Sequence, residues 1–204
     1  MHCNTRTGYF FGTFNPPHMG HLMLAECARQ QFSLERVVFV PSGKPPNRLS
    51  DTSLAPAQDR LEMVRRATAH HPAFSVWSGE ITHASPSYTV ESLEALGAFS
   101  PEAICYMILG ADTLTSVPSW HRAESLMAHC QFLSAWRKSI NGFEESFSHP
   151  AMVIHWLDMP LISISATAIR ARVAQGLSIR YWVPEWVRHY IEDNRLYSSY
   201  ERKG

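Results

Sequence analysis

Apolar residues fall along the chain in short blocks whose period switches between strand and helix. Tyr9 to Phe11 form an apolar run stopped by Gly12, which predicts a buried strand. From Gly20 onward, Leu22, Ala25, Ala28 and Phe32 recur at helical spacing. "RVVFVPSG" (Arg36 to Gly43) is β-branched and ends on Pro and Gly, so it predicts a second strand. Residues 43 to 56, rich in Pro, Ser and Asn, predict a loop. "AQDRLEMVRRA" (Ala57 to Ala67) predicts a helix with Leu61, Val64 and Ala67 on one face. Further on, "FSVWSGEI" (Phe74 to Ile81) predicts a strand and "YTVESLEAL" (Tyr88 to Leu96) a helix. "ICYMILG" (Ile104 to Gly110) and "QFLSAW" (Gln131 to Trp136) predict two more strands.

Strands and helices alternating at these intervals predict an α/β fold, a doubly wound parallel sheet covered by helices on both faces. The end of the chain differs. "SATAIRARVAQG" and "PEWVRHYIEDNRL" are helical, and Val183, Val187, Tyr190 and Ile191 form an apolar stripe in the second. We expect one domain overall, with a core over residues 1–160 and a C-terminal helical subdomain over 161–204 packed on it. Residues 138–150 predict only a polar loop. Ligands in such sheets bind beyond the carboxyl ends of the strands. The segments after Gly12, after Pro41 and after Gly110 each follow a strand, so they converge on one edge.

Composition narrows the function. Lys plus Arg and Asp plus Glu are 18 each in a chain of 204 residues, so no basic excess points to nucleic acid. No run approaches the ~20 apolar residues of a membrane span, and no signal peptide opens the chain. Cys3, Cys27, Cys105 and Cys130 are scattered without a C-x-x-C pair. Cys27 and Cys105 sit in apolar stretches and are expected to be buried. That usage suits a reducing compartment, so a cytoplasmic protein is expected. Homo-oligomerisation stays open.

The chemistry concentrates in four stretches. In "GTFNPPHMGH" (Gly12 to His21), Gly12 permits close approach to the backbone and Pro16-Pro17 stiffen the turn. Gly20 and His21 then start a helix whose N–H groups favour an anion, with His18 and His21 as added donors. A plain surface turn is the simple alternative; zinc is another, but no third ligand stands at a telling spacing. In "ISATAIRAR" (Ile164 to Arg172), Ser165 is a helix N-cap, Thr167 lies in the first turn and Arg170 one turn on. An ordinary capped helix with a solvated Arg would look the same. Together the two stretches suggest a polyphosphate held between two helix N-termini. In "VPSGKPPNR", Lys44 and Arg48 are loop cations. In "GADTLTSVPSWHR", Asp112 can accept from ribose hydroxyls and Trp120 can stack on a flat ring, although Trp120 could equally be core. No catalytic base or nucleophile emerges, as expected if the attacking group is already an anion that needs only alignment and neutralisation.

On these residues the chain resembles the H-x-G-H nucleotidyltransferases, with "ISATAIR" similar to their second signature, Ile-Ser-Ser-Thr-x-Ile-Arg. Within them it resembles bacterial nicotinate-nucleotide adenylyltransferases. "VPSGKPPNR", "RLEMVRRA", "SPSYTVESL", "GADTLTSVPSWHR" and "IRYWVPEWVRHYIEDNRLY" follow in the same order, covering residues 9 to 197 with few gaps. The resemblance implies a Rossmann-like fold. It implies transfer of the adenylyl group of ATP to nicotinate mononucleotide, with Mg²⁺ carried mainly on the ATP phosphates and no protein-built metal site. It places Gly12, Thr13, Phe14, His18, His21, Gly110, Asp112, Ser165, Thr167 and Arg170 on the ATP side, with His18, His21 and Arg170 catalytic. Lys44, Arg48, Tyr88, Thr89, Trp120 and Arg137 fall on the acceptor side. Phe11, Asn15 and Ala166 depart from a usual Gly, Asp and Ser; Asn47-Arg48 replace a usual His-Lys, and the stretch from Trp136 replaces Arg-Pro-Gly. Competing readings are transfer to nicotinamide mononucleotide or phosphopantetheine, and a nucleotide-binding sensor without catalysis.

Overall fold

The computed structural model describes residues 6–44, 51–82, 88–100, 104–135 and 147–198. Strands β1 (Thr7–Gly12), β2 (Arg36–Pro41), β3 (Phe74–Val76), β4 (Cys105–Ile108), β5 (Cys130–Ala135) and β6 (Val153–Leu157) form one sheet. Their order is β3-β2-β1-β4-β5-β6 and every pairing is parallel. This is the doubly wound order, with the chain reversing its direction of growth between β1 and β4. The helices are α1 (Met19–Gln31), α2 (Ala57–Thr68), α3 (Gly79–Thr82), α4 (Thr89–Ala95), α5 (Ala111–Leu114), α6 (Ala123–His129), α7 (Ala166–Ala174) and α8 (Glu185–Asp193).

Alternation along the strands builds a core on each face. Tyr9 and Phe11 pack with Val38, Val40 and Met107, under Val90, Leu93 and Leu126. Phe10 faces the other way, with Val37, Phe39 and Ile108, under Leu24, Ala25 and Ala28 of α1 and Val64 of α2. A third cluster joins Met63 of α2 to Ile169, Val183, Val187 and Ile191, so the predicted C-terminal stripe is the face that α8 buries. Tyr190 Oη donates to Asp59 Oδ1 at 2.8 Å, and Met19 N–H donates to Trp182 O at 3.0 Å, tying this segment to α2 and α1.

Three expectations change. Residues Phe74 to Ile81 are not one strand: the strand stops at Val76 and α3 begins at Gly79. The Trp77 ring folds back over Gly79, where a Cβ would come within 2.1 Å of it, and that return ends the extended run. The sixth strand, Val153–Leu157, went unpredicted; it lies at the sheet edge with Val153 exposed. Cys105 is buried as expected, whereas Cys27 is only half-buried.

Candidate active site

The site lies at the carboxyl ends of β1, β2 and β4, three neighbours in the sheet. The chain leaves β1 at Gly12, whose missing Cβ admits the Phe14 ring: a Cβ there would sit 2.9 Å from Phe14 Cζ. Phe14 takes a left-handed backbone (φ 48) and buries its ring edge-on to Phe10 and His21. Phe14 therefore shapes the loop from below, and its ring is not a ligand surface. Asn15 and Pro16 join through a cis peptide.

His18 is the N-cap of α1 and His21 stands in its first turn. Their rings stack with centroids 3.6 Å apart, and a Cβ on Gly20 would come within 3.1 Å of His18 Nδ1. The His18 N–H donates to His21 Nδ1 at 3.1 Å. A ring nitrogen that accepts carries no proton, so neutral His21 holds its hydrogen on Nε2 and is a fixed donor there. Burial lowers the His18 pKa to about 4. Burial, and then the neighbouring His18, hold His21 well below the ordinary histidine value. His18 Nδ1 is buried and has no hydrogen-bond partner.

Helix α7 brings the second half of the site. Ser165 caps it, its Oγ accepting from Ala168 N–H at 3.2 Å, which leaves the hydroxyl hydrogen free to donate. Arg170 Nη1 donates to Asn15 O at 3.0 Å and Nη2 reaches Thr167 Oγ1 at 3.4 Å. One guanidinium thus joins the start of α7 to the loop that leads into α1. At the start of α7 the N–H groups of Ala166 and Thr167 precede the helical ladder, whereas at the start of α1 Met19 N–H is taken by Trp182 O and His21 N–H by His18 O, so Gly20 supplies the N–H there.

Gly110 caps α5, and nothing lies within 4 Å of where its Cβ would be. Asp112 is exposed in the first turn of that helix. On the far side Tyr88 is the N-cap of α4 and Thr89 its first residue. Tyr88 lies 4.4 Å from the His121 ring, and both Tyr88 and Trp120 pack against the core under β1 and β4. Trp120 is half-buried with its Nε1 donating to Ser116 Oγ at 2.9 Å, so it is anchored by one edge and by its core contact. Lys44 is exposed, three residues past the end of β2. Arg48 and Arg137 lie outside the described residues. Arg122, two residues past Trp120, is paired with Glu94: Nη2–Oε1 is 2.7 Å and Nη1–Oε2 3.1 Å.

Residues 9–172 match the model of the cytidylyltransferase-like family. A Desulfitobacterium hafniense (strain Y51) protein named a probable nicotinate-nucleotide adenylyltransferase is 39% identical over 198 residues, spanning 94% of this chain and 95% of its own. An Exiguobacterium sibiricum protein of the same name is 40% identical over 194 residues, spanning 95% of this chain and 100% of its own. The chain belongs to the cytidylyltransferase-like family, on its nicotinate-nucleotide adenylyltransferase branch. Two structures of Plasmodium falciparum nicotinic acid mononucleotide adenylyltransferase share the adenylyltransferase fold. One, complexed with NaAD, aligns with a TM-score of 0.74 at 18% identity, over 94% of this chain and 96% of its own. The other, complexed with APC, aligns with a TM-score of 0.70 at 17% identity over the same shares.

Sequence reasoning missed the residues that hold the candidate site together from behind. Asn15 is almost wholly buried; its Nδ2 donates to Ser53 O, while its Oδ1 accepts from Ala55 N–H and from Tyr197 Oη. Burial keeps the Tyr197 phenol protonated by raising its pKa, against the lowering effect of Arg170 and Arg60. Arg60 is buried behind the same loop. A charged residue one position before Leu61 and four before Val64, on a helix that buries both, was the available signal for Arg60. Nothing in the local pattern marks Tyr197.

The depressed histidines make stability depend on pH. An unfolded His18 takes up its proton near 6.5, whereas the folded one waits until about 4. The unfolded state therefore binds more protons between these values, and stability falls as pH drops through that window. The shift from 6.5 to about 4 corresponds to roughly 3 kcal/mol at full effect. Melting temperatures at pH 7.5 and pH 4.5 should differ more for the native chain than for His18→Asn. Equal losses in both would show that His18 does not carry this dependence.

Proposed function

We propose that this chain transfers the adenylyl group of ATP to nicotinate mononucleotide, giving nicotinate adenine dinucleotide and pyrophosphate. The observation that carries the reading is the joining of two helix N-termini by Arg170, whose 3.0 Å bond to Asn15 O sets the α7 start against the His18–His21 pair. A triphosphate lying between them meets amide N–H groups, two imidazoles, the Ser165 hydroxyl and a guanidinium. These groups complement negative charge spread over several oxygens.

The mononucleotide's 5′-phosphate oxygen attacks the α-phosphorus of ATP. The new P–O bond forms as the bond from the α-phosphorus to the bridging oxygen breaks, and pyrophosphate leaves with that electron pair. The attacking oxygen is already an anion, so no side chain need remove a proton. The protein's part is alignment and stabilisation of charge at the non-bridging oxygens. His21 Nε2–H is suited to donate there without prior protonation, since its Nδ1 is occupied by the His18 amide. Gly110 and Asp112 would receive the adenosine. Tyr88, Thr89 and Trp120 would surround the pyridine ring, and Lys44 would attend the acceptor phosphate.

The phosphate-facing donors are nitrogen groups, amides and a hydroxyl, whereas Mg²⁺ prefers oxygen ligands and keeps several waters. Mg²⁺ would therefore arrive on the ATP phosphates, where it would supply charge neutralisation of the leaving pyrophosphate. Among the described residues no helix is long and apolar enough to cross a membrane. The free thiols Cys27, Cys105 and Cys130 support a reducing, cytoplasmic setting.

Pyrophosphate release separates an enzyme from a nucleotide-binding sensor. With ATP, Mg²⁺ and nicotinate mononucleotide together, pyrophosphate should form in equal amount to the dinucleotide. ATP bound without pyrophosphate release under those conditions would favour the sensor.

A further inference from the structure

Arg60 lies at the start of α2 and is 2% exposed, among the most buried side chains of the molecule. Its Nη1 donates to Thr13 O at 2.9 Å and to Ser42 O at 2.6 Å. Its Nη2 donates to Gly43 O at 2.9 Å and its Nε to Ala55 O at 3.1 Å. Thr13 is the first residue past β1; Ser42 and Gly43 are the first two past β2. One planar guanidinium therefore spans the ends of two adjacent strands, where the ATP loop and the loop carrying Lys44 begin. Burial lowers the Arg60 pKa, but a guanidinium starts so high that it stays charged.

We infer that Arg60 is a positioning residue that seats the acceptor loop, residues 42–44, against the ATP loop. The inference rests on the adenylyl-transfer reading, because it takes Lys44 as acceptor-side. The two loops depend on Arg60 unequally. The ATP loop has further ties through Asn15, which meets Ser53 O, Ala55 N–H, Tyr197 Oη and Arg170. The acceptor loop gives both of its first two carbonyls to Arg60, and among the described residues its further backbone bond is Ser42 N–H to Gly12 O at 3.0 Å. The Ser42 hydroxyl is buried without a hydrogen-bond partner, so it adds no anchor. Loss of the guanidinium fork should loosen residues 42–44 while the ATP loop holds. A lysine ammonium is a point charge whose three donors cannot reproduce a planar fork to four carbonyls.

The test is steady-state kinetics of the full chain and of R60K, with each substrate varied at saturation of the other. R60K should raise KM for nicotinate mononucleotide about tenfold or more, for the loss of at least one charge-assisted bond to a carbonyl, with KM for ATP changed less than about threefold. Thermal melting run alongside separates a folded variant from a collapsed one. Should R60K fail to fold around a poorly solvated ammonium, R60Q offers an uncharged amide with two N–H groups, and the same split is expected. Equal rises in both KM values, an unchanged acceptor KM, or loss of folding in both variants would assign Arg60 to stability alone and overturn the inference. The wild-type chain's ability to make the dinucleotide tests the transfer reading separately, since only the variant-to-native ratio of the two KM values bears on Arg60.

Discussion

His18→Ala should lower kcat by ~10²-fold or more while the chain keeps its fold, because a donor aimed at charge that grows in the transition state acts on the chemical step. The His18 ring is buried, stacked at 3.6 Å on His21, and has its Nδ1 without a partner. Arg170→Ala should cost a similar factor, and for two reasons. It removes a cation from the proposed phosphate site, and it cuts the tie to Asn15 O that sets α7 against the opening loop. His21→Ala needs melting measured beside kinetics, since that ring also packs edge-on against Phe10 and Phe14. A folded His18→Ala with near-native kcat would remove His18 from the mechanism.

The second large effect concerns the acceptor. Nicotinate mononucleotide should be preferred over nicotinamide mononucleotide by ~10²-fold to 10⁴-fold in kcat/KM, because a site of donors leaves buried groups unpaired when it meets a carboxamide NH₂. Among the described residues the first backbone bond of α4 runs from Ser92 N–H to Tyr88 O, so the N–H groups of Thr89, Val90 and Glu91 precede the helical ladder. These lie beside Tyr88, whose ring meets that of His121 and which packs on the same core as Trp120. Arg122 contributes little to this preference, being held by Glu94. The discrimination is therefore expected to fall on backbone donors. Equal kcat/KM for the two mononucleotides would overturn the acceptor assignment and leave adenylyl transfer standing.

What could be read from the chain beforehand follows the physics of each feature. The strands β1, β2, β4 and β5 are apolar runs bounded by Gly, Pro or polar residues, and buried parallel strands leave that signature. Strand β6 does not: Val153–Leu157 sits at the edge with a histidine in the middle, and His155 is satisfied by Gln131 Oε1 across the sheet. The early stop of β3 depends on Trp77 lying over Gly79, a three-dimensional return that no alternation shows. The starts of α1 and α7 carry local signals, a Pro-rich turn with paired histidines and a Ser cap, and so were visible as helix starts. Their supports were not. The Tyr197–Asn15 bond joins residues 182 apart, and the Arg122–Glu94 pair joins residues 28 apart. The helical spacing of Arg60 with Val64 marks its burial, but its carbonyl partners lie on segments that only the fold brings together.

The central claim is that the bond broken lies at the α-phosphorus of ATP and the bond formed joins that phosphorus to a nucleotide phosphate. ATP labelled at the α-phosphorus, incubated with the full chain, Mg²⁺ and nicotinate mononucleotide, tests this directly. The label should move into nicotinate adenine dinucleotide, while label placed at the β or γ position should leave as pyrophosphate. Label from the γ position appearing alone as orthophosphate, with the α label retained in ADP, would contradict the account.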